Sequence, residues 1–433
     1  MTAEIAIMNK EAVALAADSA VTLTGQKIFT SANKIFALSK YQPVGVMIYG
    51  NASFMGTPWE TIIKIYRNNL GKNSFDNLEE YADHFIKFLI QEKRFFPETE
   101  QEKYVERNIY YCFVDISKEI EKEIENSLAK KANLTKKQIK DITSEIIEKH
   151  CNEWKNADFF PSMSQDCIKN IMRKYESIID KCRDMIFQSL NRKSQNQLKE
   201  IAASLFVKFL HSYTNLSGLV IAGFGTKDIF PSIRAFSIGG IADNKLKYQK
   251  NEKANADIDY NNEATIIPFA QSEMVHSFMT GVDPDYEMEI ERYIFQILET
   301  YPSVIIDKIQ NLNTNEKEEL KNTFIQISRE TFKQCIKELK DHRMTNYANR
   351  IMNVVASLPK NELADMAESL VNLTSFKRKV SMEAETVGGP IDVAVISKGD
   401  GFIWIKRKHY FNGELNPHFF ANYYKEIENG EDR

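Results

Sequence analysis

A chain of 433 residues exceeds one average domain and leaves room for one large domain with insertions or for two to three smaller ones. Apolar residues make up 43% and aromatics 11%, enough for a substantial core, which excludes a generally disordered chain. With 56 basic against 60 acidic side chains the net charge is -4, so there is no global bias toward nucleic acid or an anionic membrane.

In chain order, Ile5 to Met8 reads as a strand, followed by a polar turn at Asn9-Lys10-Glu11 and the small apolar run Ala12 to Ala17. Asn33 to Leu38 and Pro43 to Gly50 also have strand composition, and short strands with tight turns point to an antiparallel sheet. At Thr57-Pro58-Trp59-Glu60 a capping residue, a proline at the first helical position and a glutamate three residues on predict a helix start. That helix carries Ile62, Ile63, Tyr66 and Leu70 on one face. A second begins near Asp76, with Tyr81, Phe85, Phe88 and Leu89 as its stripe. From about 95 to 195 the chain reads as helical and rich in Glu and Lys, with a capping box at Thr135 and Gln138. Its charged faces are read as solvated surface.

Strand signals return at Leu219 to Phe224, Ile233 to Ile238, Lys245 to Gln249 and Ala264 to Ile267. Helices are expected from Ser272 to Met279 and Asp285 to Tyr301, then a charged helical block to Leu358. The helix Asn361 to Leu373 leads into Gly388-Gly389-Pro390 and two last strands, Ile391 to Ser397 and Phe402 to Lys406. A polar tail with Tyr410, Phe411, Phe419, Phe420 and Tyr423 follows. The order strands, helices, strands, helices, strands is not a strict βα alternation. It predicts an α+β fold with two antiparallel sheets between helical layers, a four-layer αββα sandwich.

Position two carries the first chemical clue. A methionine before a small residue is readily trimmed, which would expose an α-amine and a hydroxyl together on Thr2. An α-amine has an ordinary pKa of ~7.7–8, so it can accept the hydroxyl proton near neutrality, and the nucleophile then carries its own base. A threonine at position two is common, and Asp18 and Lys34 give this one weight. Asp18 ends the strand Leu15-Ala16-Ala17-Asp18, and Lys34 begins the next after Ser31-Ala32-Asn33. A lysine beside the threonine would stabilise developing negative charge, and an aspartate paired with it would hold it charged and oriented. Gly50, closing Val44 to Tyr49, could offer a backbone N–H to an oxyanion. Read singly, these are a turn cap, a surface lysine and a strand end.

Taken together the residues resemble the β-type subunits of the proteasome and of its two-component bacterial relative, within the N-terminal nucleophile hydrolases. In that family an aspartate in an A-A-D-S-like strand end follows the nucleophilic threonine by sixteen residues, and a lysine follows it by thirty-two. Thr2, Asp18 and Lys34 reproduce both intervals, with Ala16-Ala17-Asp18-Ser19 intact. The similarity runs through Val46-Met47-Ile48-Tyr49-Gly50, returns in the strands between about 218 and 268, and ends in Thr386-Val387-Gly388-Gly389-Pro390-Ile391-Asp392-Val393. It implies an oxyanion donor at the amide of Gly50 or Tyr49. It also implies a supporting serine near Ala270-Gln271-Ser272, with Ser272 as the candidate, and a carboxylate and a serine near Glu385 and Val387. Peptide or protein substrate, self-assembly into homo-oligomeric rings, room for an ATPase or regulatory partner, and no cofactor are further implications.

The chain departs from the family pattern in several places. Tyr49-Gly50 stands for a Gly-Gly pair, Val387 for a serine, and Glu385 lies one place off the expected aspartate. Ala3-Glu4 follows the threonine in place of further threonines. The core would comprise residues 1–94, 196–301 and 359–409, interrupted by helical insertions at 95–195 and 302–358 and followed by a tail at 410–433. The insertions have no counterpart in the family. The expected function is a threonine hydrolase cleaving peptide or amide bonds through an acyl ester on Thr2. A non-enzymatic scaffold or sensor of the same fold, and an amidase acting on a small molecule, stay open.

Other features carry less. The seven histidines form no HxxxH or HExxH, and the five cysteines form no CxxC, so no metal site is expected and free thiols suit the chain better than disulfides. Gly223-Phe224-Gly225 and Gly239-Gly240 read as turns rather than phosphate loops. Lys406-Arg407-Lys408-His409 reads as a solvated strand end rather than a nucleic-acid contact. Glu4, Lys10, Glu11 and Asp18 interrupt the first twenty residues, and no window approaches eighteen apolar residues. The expectation is a cytoplasmic protein without signal peptide or membrane span.

Overall fold

The computed structural model describes residues 2–23, 27–130, 133–210, 216–310, 313–381, 387–418 and 420–421. The chain is α+β and its two large sheets are antiparallel. It forms two compact units, one of residues 1–35, 229–231 and 257–433, the other of residues 36–228 and 232–256. No helix among the described residues is long and apolar enough to cross a membrane.

The first unit is organised on a five-stranded sheet in the order Ala264–Ala270, Ala3–Asn9, Ala12–Ala17, Asp392–Ser397, Gly401–Lys406. The amino-terminal strand is therefore interior to the sheet, with Ala3 opposite Ala270 on one side and Glu4 opposite Ala17 on the other. Asn9 fixes the turn between the first two strands. Its Oδ1 accepts from the amides of Glu11 and Ala12 at 2.9 and 3.3 Å, and its Nδ2 donates to the carbonyls of Val355 and Leu358 at 3.0 and 2.8 Å.

One face of this sheet, with Ala3, Ile5, Ile7, Ala14, Ala16, Val393 and Val395, packs against Leu363, Ala364, Ala367, Leu370 and Val371 of the helix Lys360–Val380. Alanines on both partners allow close-packed approach of strand and helix. The opposite face, including Glu4, Ala6, Met8, Val13, Leu15 and Ile396, is buried as well. Strands covered on both faces read as near-continuous apolar runs, and a charge placed in one must find a partner. The long helices Pro284–Asp307 and Thr314–Arg343 lie side by side, joined by Phe295 on Phe332 at 5.2 Å and by the ion pairs Arg329–Glu299 and Arg343–Glu287.

The second unit carries a sheet in the order Lys245–Lys250, Ser232–Ala242, Ser217–Gly223, Val44–Tyr49, Ile35–Ala37. The helices Trp59–Leu70 and Leu78–Gln91 supply Trp59, Ile62, Tyr66, Tyr81, Phe85 and Leu89 to a core shared with Val46, Ile48, Leu219, Ile221 and Phe236. A separate helical core gathers Val105, Phe113 and Ile116 with Trp154, Ile171, Ile179 and Leu198.

Three local expectations change. The capping residue expected at Thr57 does not cap, because Thr57–Pro58 pairs with Ser53–Phe54 in a short hairpin and Pro58 itself precedes the helix. Gly239 and Gly240 are not a turn but lie inside the strand Ser232–Ala242 at a register shift. There Tyr104 packs so closely that a Cβ on Gly240 would fall 2.3 Å from its ring. The basic strand end is largely neutralised: Lys406 pairs with Glu368, Lys408 with Asp392, and Arg407 lies 4.9 Å over the Trp404 ring. By contrast, Thr135 and Gln138 do form the reciprocal capping box, and the five cysteines are free thiols.

Candidate active site

Thr2, Asp18 and Lys34 come together in the first unit: the hairpin of the first two strands sets Asp18 beside the start of the first strand, and Lys34 pairs with Asp18 there. Asp18 leaves the second strand directly after Ala17, and its amide donates to the Ala3 carbonyl at 3.1 Å. Its carboxylate then closes the corner. Oδ1 accepts from the Ala3 amide at 3.1 Å and from Lys34 Nζ at 2.5 Å, and Oδ2 accepts from the amides of Ala20 at 3.2 Å and Gly388 at 2.9 Å. Ser19 fastens the same corner to the 388–390 segment, its amide donating to the Gly388 carbonyl at 3.2 Å and its hydroxyl to that of Pro390. Lys34 immediately precedes the strand Ile35–Ala37.

A fourth residue belongs to the cluster, one that the sequence shows only as a break in the apolar start of the chain and as a departure from the family's further threonines. Residues two apart on a strand share a face, so Glu4 stands beside Thr2. Thr2 Oγ1 donates to Glu4 Oε2 at 2.9 Å, and Glu4 Oε1 lies 3.0 Å from Lys34 Nζ. The ammonium is thus shared between two carboxylates. All four groups are buried, with exposures of 3% for Thr2, 2% for Glu4, 1% for Asp18 and 5% for Lys34. The usable signal in the sequence was parity: a glutamate two residues from the candidate nucleophile, inside an apolar strand.

Burial pushes the Glu4 carboxyl up from its ordinary 4.5 to about 7, and the neighbouring Asp18 charge adds to the rise while Lys34 and the Thr2 hydroxyl oppose it. The folded state therefore binds this proton more tightly than the unfolded chain does. The resulting contribution to stability is complete below about 4.5 and is lost as pH climbs to about 7. Over that window the shift corresponds to on the order of 3 kcal/mol. Urea unfolding at pH 5 and pH 8 should accordingly show wild type losing stability relative to Glu4→Gln as pH rises; parallel pH dependences would remove the effect.

Ser272 and Val387 are placed differently. Ala270, the last residue of the strand opposite Ala3, takes a left-handed φ of +62°, which turns the chain before the helix Glu273–Thr280. As a result Ser272 is exposed, and the residue that turns inward is Gln271, buried with its Oε1 accepting from Arg378 Nε at 3.0 Å. Val387 is buried among the residues packed on the helix Lys360–Val380. Glu385 lies outside the described residues. Gly50 belongs to the second unit, where it ends the strand Val44–Tyr49 with φ +85°.

Among the described residues no group of three or more His, Cys, Asp or Glu side chains is arranged to hold a metal ion. A cleft of about 680 Å³ between Lys136–Ser144 and Gln188–Asn191 contains none of the cluster residues. What the cluster can do chemically follows from its parts: a hydroxyl with a carboxylate against it, and a lysine able to balance negative charge that develops there.

No protein-family model matches the chain, and no curated protein matches it. Solved structures align along most of its length, two of them as follows. One is Anbu (ancestral beta-subunit) from Yersinia bercovieri, at 9% identity and a TM-score of 0.27, covering 98% of this chain and 96% of that one. The other is the helical assembly of the Anbu complex from Pseudomonas aeruginosa, at 8% identity and a TM-score of 0.30, covering 98% of this chain and 95% of that one.

Proposed function

We propose that this protein is an N-terminal threonine hydrolase that cleaves peptide or amide bonds. The observation that carries the reading is the buried contact set in which Thr2 Oγ1, the Glu4 carboxyl, Lys34 Nζ and the Asp18 carboxylate are linked by distances of 2.5–3.0 Å. After removal of Met1, Thr2 Oγ1 attacks the substrate carbonyl, an acyl ester forms on Thr2, and water hydrolyses it. Lys34, anchored by Asp18, balances the negative charge that builds up during each attack. Asp18 acts through Lys34 and is a positioning residue.

The purified full chain tests this directly. Intact mass should show loss of Met1 and a single adduct with an epoxyketone, an electrophile that consumes both the hydroxyl and the α-amine. Cleavage of fluorogenic peptides should be lost in Thr2→Ala. Turnover of small amides alone, still dependent on Thr2, makes the protein a small-molecule amidase. The burial of Thr2 at 3% exposure favours one other reading, a scaffold that keeps the cluster for stability alone. A chain that retains Met1 and has no Thr2-dependent turnover establishes the scaffold.

A further inference from the structure

We propose that Glu4 is the residue that accepts the Thr2 hydroxyl proton, replacing the α-amine in that role; the inference rests on the threonine-hydrolase reading. Three observations converge on it. The hydroxyl already donates to Glu4 Oε2 at 2.9 Å, so transfer needs neither a bridging water nor a rearrangement. The strand fixes this approach, because Glu4 is hydrogen-bonded into the sheet between Ala17 and Phe269, neither of which is ionisable. Lys34 holds the other carboxyl oxygen at 3.0 Å, which orients the carboxylate and leaves Oε2 to the threonine.

Among the described residues, the ionisable groups that face Glu4 are Lys34, which favours its charged form, and Asp18, which opposes it. Burial outweighs Lys34 and leaves the carboxyl titrating at about 7, where an acceptor is half charged at neutral pH and can return the proton as readily as it takes it.

The steps balance. As Thr2 Oγ1 bonds to the carbonyl carbon, the carbonyl π pair moves onto oxygen and the hydroxyl proton passes to Glu4, which becomes neutral. When the oxyanion collapses, the C–N bond breaks and the Glu4 proton goes to the leaving nitrogen, giving an amine and the acyl ester. Water then attacks the ester and gives a proton to Glu4. Collapse releases the acid, and the proton returns to Thr2 Oγ1.

The test is acylation of the full chain by a β-lactone, followed by intact mass from pH 5.5 to 9 in wild type, Thr2→Ala, Glu4→Gln and Glu4→Asp. In wild type the rate should rise along a limb centred near pH 7 and vanish in Thr2→Ala. Glu4→Gln should lower the rate on the order of a hundred- to ten-thousandfold. It should also move the remaining limb to the ordinary amine range of ~7.7–8. A Glu4→Gln rate within threefold of wild type overturns the proposal and leaves the threonine reading intact. A loss with the limb unmoved also overturns it, because Glu4 then only positions Thr2. If Glu4→Gln does not fold, Glu4→Asp decides: it keeps the charge but draws the carboxyl back by one methylene, so the rate should fall while the limb persists, and an unchanged rate overturns the proposal. An adduct that does not depend on Thr2 in wild type overturns the threonine reading itself.

Discussion

Asp18→Ala is expected to cost on the order of 3–5 kcal/mol of folding stability, the range for breaking a buried ion pair by removing one partner. The carboxylate it deletes serves four donors: the amides of Ala3, Ala20 and Gly388 and the Lys34 ammonium. Each buried amide left without an acceptor carries its own penalty of roughly 1–3 kcal/mol, offset where water enters. Lys34 retains Glu4 at 3.0 Å, which limits the loss. Asp18→Asn should fall between, since its oxygen can serve one side of the corner while its NH₂ confronts the amides on the other. Urea denaturation of the three proteins measures this directly. A cost below 1 kcal/mol for Asp18→Ala would mean that the corner is held by other contacts.

Lys34→Met is the second large effect, and its signature is a pH dependence. The substitution keeps the length of the side chain and leaves the buried carboxylates of Glu4 and Asp18 without the cation they share. Asp18 still has three amide donors. Among the described residues Glu4 has the Thr2 hydroxyl as its hydrogen-bond donor and Lys34 as its ion-pair partner, so losing the lysine pushes its carboxyl above the value of about 7 it has in the intact cluster. A group whose folded pKa is raised stabilises the protein when protonated and stops doing so as pH rises through that value. The deficit of Lys34→Met should therefore be on the order of 3–5 kcal/mol at pH 8 and shrink substantially at pH 5. Equal deficits at the two pH values would show that the lysine contributes packing rather than charge.

Much of this arrangement is legible in the sequence, for identifiable reasons. The strand Ala12–Ala17 is read with the bounds it has, because an apolar run is closed on both sides by polar residues. Thr2, Asp18 and Lys34 are legible through their spacing and the Ala16-Ala17-Asp18-Ser19 strand end. Glu4 was missed because a lone acid in an apolar segment looks like a solvated interruption until both faces of the strand are known to be covered. The choice between Gln271 and Ser272 depends on the left-handed turn at Ala270, a conformation for which alanine gives no warning. Pro302 misled in the other direction. The expected helix stops at Tyr301, yet the helix Pro284–Asp307 continues with Pro302 buried in it, so tertiary packing outweighs the lost backbone bond.

The strand order of the first unit has a consequence for biogenesis. The hairpin of residues 3–17 can close early, but the partner on the open edge of its first strand, Ala264–Ala270, is some two hundred and fifty residues away along the chain. At ribosomal speeds of about 5–20 residues per second, that neighbour emerges on the order of 13–50 s after the hairpin. Throughout that interval the strand Ala3–Asn9 lacks one of its two sheet partners, and docking of the late strand then completes the backbone pairing beside Glu4.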